Sequence, residues 1–107
     1  MSHVLDLLAQ AKLLEIDTDH LVRQSGQLTQ LLLRLGDGTF YPDEIHARAS
    51  ETILVLEGEC HLLLLEDTVV LKAGQQVTIT ANQLHKFLPE SECCLSVTFE
   101  KMLAEQD

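Results

Sequence analysis

A chain of 107 residues with 46% hydrophobic residues has enough apolar surface for one globular domain and too little length for two. Its 17 acidic side chains against 7 basic ones give a net charge of -10, which argues against nucleic acid and anionic membrane surfaces as partners. One Tyr, three Phe and no Trp leave little for stacking on bases or long sugars.

From the start of the chain, residues 3–15 show a helical spacing of Leu5, Leu8 and Lys12. Val4, Leu7 and Leu14 widen the apolar face, and Ser2 stands as N-cap. This segment is expected to be a packing arm over a sheet edge or a partner subunit. Asp17, Thr18 and Asp19 mark a turn, and His20 to Gln24 a short strand. Gln27 to Leu35 is a strand with Leu28, Leu31, Leu33 and Leu35 apolar, closed by the turn Gly36-Asp37-Gly38. Pro42 keeps Tyr41 to Asp43 out of a central ladder.

Glu44 to Arg48 is expected to be extended, then Glu51 to Glu57, with Gly58-Glu59 as a tight hairpin turn into a strand Cys60 to Leu65. Glu66-Asp67 turns into Thr68 to Lys72, and Ala73-Gly74 into Gln75 to Thr80. Leu84 to Leu88 is a short strand. Cys93 to Glu100 is the last, with Leu95, Val97 and Phe99 on one face, before a polar tail from Lys101. Strands this short with turns this frequent predict an all-β sandwich or barrel with a short N-terminal helix. Leu62 to Leu65 and Val69 to Leu71 are apolar on both faces, so something must cover the outer one. The helix or a second copy would do so, and a homodimer is expected.

Cys60, Cys93 and Cys94 are odd in number, and adjacent cysteines bridge each other only with strain. Cys60 is expected in the core and the other two in packing, which fits a reducing cytoplasm. The opening residues lack the basic start and long apolar core of a signal peptide, and no apolar run is long enough to span a bilayer.

The chemistry concentrates between Gly38 and Gly58. Glu44 and His46 are two apart, so on a strand they share a face. Glu51 joins them if the chain bends near Ala47 to Ser50, and His85 is the distant candidate to complete the group. Arg48 follows the same alternation and is the competing partner, able to pair with Glu44 or Glu51 and form a structural ion pair without metal. His61 is expected at the surface or beside the site, and His3 and His20 at the surface. Phe40, Tyr41 and Phe87 are expected in the core or the pocket wall.

These spacings resemble those of the small cupins. Their first motif runs Gly, five residues, His-x-His, three or four residues, Glu, six residues, Gly; here Gly38, Glu44-x-His46, Glu51 and Gly58 keep every interval. Their second runs Gly, five residues, Pro-x-Gly, two residues, His; here it is Gly74, Thr80-x-Asn82 and His85. The resemblance extends from about Leu28 to Phe99. It departs at Glu44, which replaces a His, at Thr80-Ala81-Asn82 for Pro-x-Gly, and at Pro89, where the longer motif ends in Asn. Asn82 tolerates positive φ, so the turn survives.

The resemblance implies a single-domain cupin of the conserved-barrel type over residues 1–107. Residues 1–16 would be a helical arm and 27–100 the barrel, a double-stranded β-helix or jelly roll. It further implies one divalent metal on Glu44, His46, Glu51 and His85. Two imidazoles and two carboxylates suit Fe(II), Mn(II), Ni(II) or Zn(II), and Glu44 is the member able to leave a triad of the other three.

On this scaffold the expectation is a metalloenzyme acting on a small metabolite by dioxygenase, isomerase or lyase chemistry. Arg48 would attract an anionic substrate group, Tyr41 and Phe87 would line the pocket, and His85 or Glu44 would exchange protons. A non-catalytic small-molecule-binding or regulatory cupin is the second reading, favoured by the loss of the His-x-His pair. A structural dimer with an ion-paired pocket is the third.

Overall fold

The computed structural model describes residues 4–37, 42 and 44–102. The chain runs α1 (Leu7–Lys12), β1 (His20–Ser25), β2 (Leu28–Leu35), β3 (Ala49–Leu64), β4 (Asp67–Lys72), β5 (Gln76–Ile79), β6 (His85–Phe87) and β7 (Glu92–Lys101). The helix is shorter than its apolar spacing predicts. Asp6 caps it: the Asp6 carboxylate accepts the Ala9 N–H at 3.0 Å, and Val4 and Leu5 ahead of it are not helical; Ser2, the expected N-cap, lies outside the described residues. A short helix gains little by itself, so it persists only where its apolar side meets the sheet. Val4 and Leu13, which fit the helical spacing or extend it, are exposed.

One strand organises the barrel. β3 runs 16 residues without a break, so the hairpin expected at Gly58-Glu59 does not exist. Its first part pairs with β7 on one edge and β5 on the other; its last part, Glu59 to Leu64, pairs with β4 and, over Leu62 to Leu64, with β6. The turn chemistry of Gly58 is used inside the strand. Gly58 has φ 88, and the register against β7 shifts between Val55 and Glu57. A Cβ on Gly58 would collide with the Glu92 carbonyl, so only glycine permits this bend.

The bend inverts the alternation of faces. Ile53 and Val55 are buried before it, Cys60 and Leu62 after it. β3 thereby passes from one sheet to the other while facing the same core, as strands do at the corners of two-layer β folds. The architecture is an all-β jelly roll with one short helix. The next turn lies at Leu65–Glu66, one residue earlier than expected, and β4 begins at Asp67.

The main core lies between the layers and joins Leu33 and Leu35 of β2, Ile53, Val55, Cys60 and Leu62 of β3, and Leu95 and Val97 of β7. A second cluster lies outside the β2–β7–β3 layer, where Ala11 with Leu7, Leu8 and Leu14 of the helix segment covers Leu32, Cys94 and Leu56. The helix thus covers an outer face, as expected of a packing arm, but a different one from that of Leu62 to Leu65 and Val69 to Leu71. On those strands Leu62 and Leu71 are buried, and Val70 is 42% exposed. Among the described residues, no helix is long and apolar enough to cross a membrane.

Candidate metal centre

Three chain segments deliver the site. Glu51 stands near the start of β3, paired with Ile79 on one side and Phe99 on the other, which turns its side chain into the barrel. His85 opens β6. Glu44 and His46 precede β3 on an irregular segment; the extended run expected to Arg48 is reduced to a single bridge at Glu44, and the bend expected near Ala47 is a turn at Ala47–Arg48. Backbone hydrogen bonds hold that segment in place. Glu44 and His85 exchange N–H and carbonyl at 2.7 and 2.9 Å, and the Asn82 N–H donates to the His46 carbonyl at 2.8 Å. Asn82 adopts φ 69, the conformation expected of it.

One ligand-type atom from each of Glu44, His46, Glu51 and His85 lies within 4.8 Å of all the others. The His85 Nε2 is 2.8 Å from Glu51 Oε1, while His46 Nε2 is 3.3 Å from the same oxygen and 3.4 Å from Glu44 Oε1. A transition-metal ion with bonds near 2.1 Å holds adjacent donors about 3 Å apart, so this spread suits one ion. The His46 Nε2 atom is buried and has no hydrogen-bond partner. A buried polar atom left in this way is costly, and a cation between it and the two carboxylates satisfies it. The donor set therefore fits a divalent metal.

The charges agree. Burial and the neighbouring Glu51 charge push the Glu44 carboxyl above the usual carboxylate range, against the opposing pull of His85 and His46. Burial draws the His85 imidazole down, but its hydrogen bonds to Glu51 and to the Gln83 carbonyl, with the charges of Glu51 and Glu44, hold it above its usual value. The His85 Nδ1 sits 3.0 Å from the Gln83 carbonyl, which fixes the ring with Nε2 toward Glu51. Metal-binding histidines are oriented by such a bond on the other ring nitrogen. The edge of Phe99 meets the His46 ring with centroids 4.9 Å apart and limits its rotation.

Of the other expected residues, Phe87 is buried and lines a cavity of about 360 Å³ that opens onto Glu44, His46 and Glu51. Arg48 is exposed, lies outside this cavity, and forms no ion pair with Glu44 or Glu51. The competing ion-pair arrangement is thus not the one adopted. Tyr41, Phe40 and His3 lie outside the described residues. His61 is half-buried and 3.4 Å from Glu59, away from the centre. Cys60, Cys93 and Cys94 are buried free thiols.

Sequence reasoning missed Gln83 as the brace of His85, Phe99 as the neighbour of His46, and Asp17 and Asp19 as part of the cavity wall. Phe99 was legible only as one of the residues on one face of the last strand. The two aspartates gave a turn signal and nothing about where the turn goes.

The family model described as Cupin domain matches residues 31–97. Among solved structures, a cupin-2 domain containing protein from Shewanella frigidimarina superposes with TM-score 0.78 at 17% identity, covering 92% of this chain and 95% of its own. The TT1209 protein from Thermus thermophilus gives 0.70 at 22% identity over 80% and 84% of the two chains. KdgF from a Halomonas species gives 0.69 at 15% identity over 80% and 79%. At these identities the likeness is one of fold. A search of curated proteins gives no significant match.

Proposed function

This chain belongs to the cupin domain family, and we propose that it holds one divalent metal on Glu44, His46, Glu51 and His85 and acts there on a small molecule bound in the adjoining cavity. The observation that carries this reading is the buried His46 Nε2, which faces two carboxylate oxygens and has no hydrogen-bond partner. Two imidazoles with two carboxylates suit Fe(II), Mn(II), Ni(II) or Zn(II). Such an ion, when bound, polarises a carbonyl or enediol oxygen or takes up O2, which is the chemistry of isomerases and dioxygenases.

The chain's own residues supply the rest. Gln83 keeps a proton on His85 Nδ1 and so leaves Nε2 as the donor atom. Glu51, 2% exposed, presents one oxygen to both imidazoles from a strand paired on both edges, where it has little room to move. Glu44 and His46 are only partly buried, and both line the cavity. Leu31, Leu33, Phe87, Val97 and Phe99 give the cavity an apolar wall that excludes water from a bound molecule.

A non-catalytic binding cupin is the second reading, and the carboxylate of Glu44 in place of an imidazole favours it. Elemental analysis of protein purified without an affinity tag tests the shared part: bound metal near one per chain is expected, and none would overturn it. Turnover of candidate substrates by the loaded protein then separates enzyme from binder. We also propose that a second copy of the chain covers the outer face around Val70, which α1 does not reach.

A further inference from the structure

The charge of the cavity names the class of molecule it takes. Among the described residues, four acidic ones line it, Glu44 and Glu51 in the cluster and Asp17 and Asp19 on the turn that follows α1. All seven lysines and arginines of the chain lie among the described residues, and none of them lines the cavity. A divalent ion on Glu44 and Glu51 cancels two negative charges and leaves the two aspartates. Neither aspartate side chain forms a hydrogen bond or ion pair with a described residue, so no described side chain offsets their charge. Asp17 is held against the barrel by its backbone, whose N–H donates to the Arg34 carbonyl at 2.7 Å. Apart from His46, the other described residues of the lining are apolar.

We infer that this cavity selects a short molecule with a cationic amine at one end and a metal-binding oxygen or sulfur donor at the other, and that Asp17 and Asp19 determine the preference. The inference rests on the metal reading above for its donor end. Its amine end rests on the lining alone. An anionic tail, which Arg48 was expected to attract, meets two carboxylates and no cation. In an apolar-walled cleft, charges of one sign act over a longer reach than on an open surface, and the overall charge of -10 draws cations toward it.

The test uses the untagged full chain with its metal content measured and three probes that share a hydroxamate head and a two-carbon spine. They end in ammonium (beta-alanine hydroxamate), methyl (butanehydroxamate) or carboxylate (succinic monohydroxamate). Calorimetry is expected to find the ammonium probe tightest and the carboxylate probe weakest, about tenfold apart. Asp17→Asn with Asp19→Asn should remove most of that spread. Asparagine accepts the left-handed backbone of Asp17, where φ is 64, so the double variant keeps its fold. Asp19→Asn alone, at an exposed position, should move affinities the same way.

Equal affinities, a preference for the carboxylate, or a spread that survives the double variant overturns the inference. Failure of the metal reading has a different signature: no metal, and hydroxamates no tighter than the same tails without the head. In that case propylammonium and propionate are compared on the same protein by chemical-shift perturbation. A cation preference there that Asp17→Asn with Asp19→Asn removes supports the amine end of the inference; indifference, or a preference that survives the double variant, overturns it.

Discussion

Glu44 and His85 exchange two backbone hydrogen bonds, at 2.7 and 2.9 Å, across a separation of forty-one positions in the chain. Residues directly opposite in an antiparallel bridge project to the same face. The bridge therefore places a carboxylate and an imidazole side by side with no help from their side chains. The Asn82 N–H, bonded to the His46 carbonyl, ties the same two segments together a second time, out of register with the bridge, and holds the second imidazole nearby.

The metal proposal predicts that His46→Ala and His85→Ala together abolish metal content while circular dichroism still reports β structure. Removing one ligand should weaken metal binding by at least about a hundredfold, because even residues that only orient ligands cost 10–100-fold. Chelation of the loaded wild-type protein should lower Tm, since a ligand bound only to the native state stabilises it by mass action. The double variant should show no such drop. Equal metal occupancy in wild type and double variant by elemental analysis would count against the site.

Gly58→Ala should destabilise the barrel by about 1–3 kcal/mol or more. Positive φ costs an alanine that much, and its Cβ would also strike the Glu92 carbonyl. The midpoint in urea should fall with the slope unchanged. A hairpin turn at this position would carry the positive-φ cost without the collision, so a loss beyond that range also checks that β3 is one strand.

The three thiols should resist alkylation at pH 8 in the native protein and react at once in denaturant. Cys60, which contacts it, and burial push the Cys93 thiol far above its usual range; burial and the Glu57 charge push Cys94 up. A raised thiol carries less thiolate at a given pH, and thiolate is the reactive form. Rapid labelling of folded protein, read by mass spectrometry, would show that β7 opens far more readily than its pairing on both edges implies.

A homodimer is expected at micromolar concentration by light scattering. Val70→Lys should shift it toward monomer while leaving metal content unchanged, because Val70 points out of the barrel away from the cluster. A monomeric wild type would remove the second copy from the proposal.

Family, all-β class and the four clustered residues are legible in the sequence alone. Ligand spacing in two motifs survives as spacing even when a ligand type changes, as at Glu44, and alternation along Leu95, Val97 and Phe99 is a local property of one strand. The left-handed Asn82 was legible for the same reason, since its conformation is set by its own side chain. Only the tertiary structure decided that Gly58 bends one long strand instead of ending one. A glycine at positive φ is the same signal in a turn and in a bulge, and the strand on the far side, with Glu92, makes the difference. It also decided that Arg48 stays in solvent, that Gln83 braces His85, and that Asp17 and Asp19 face the cavity. The placements of Arg48 and the two aspartates depend on where one loop passes another; the Gln83 brace is local, but a backbone carbonyl leaves no mark in the residue type.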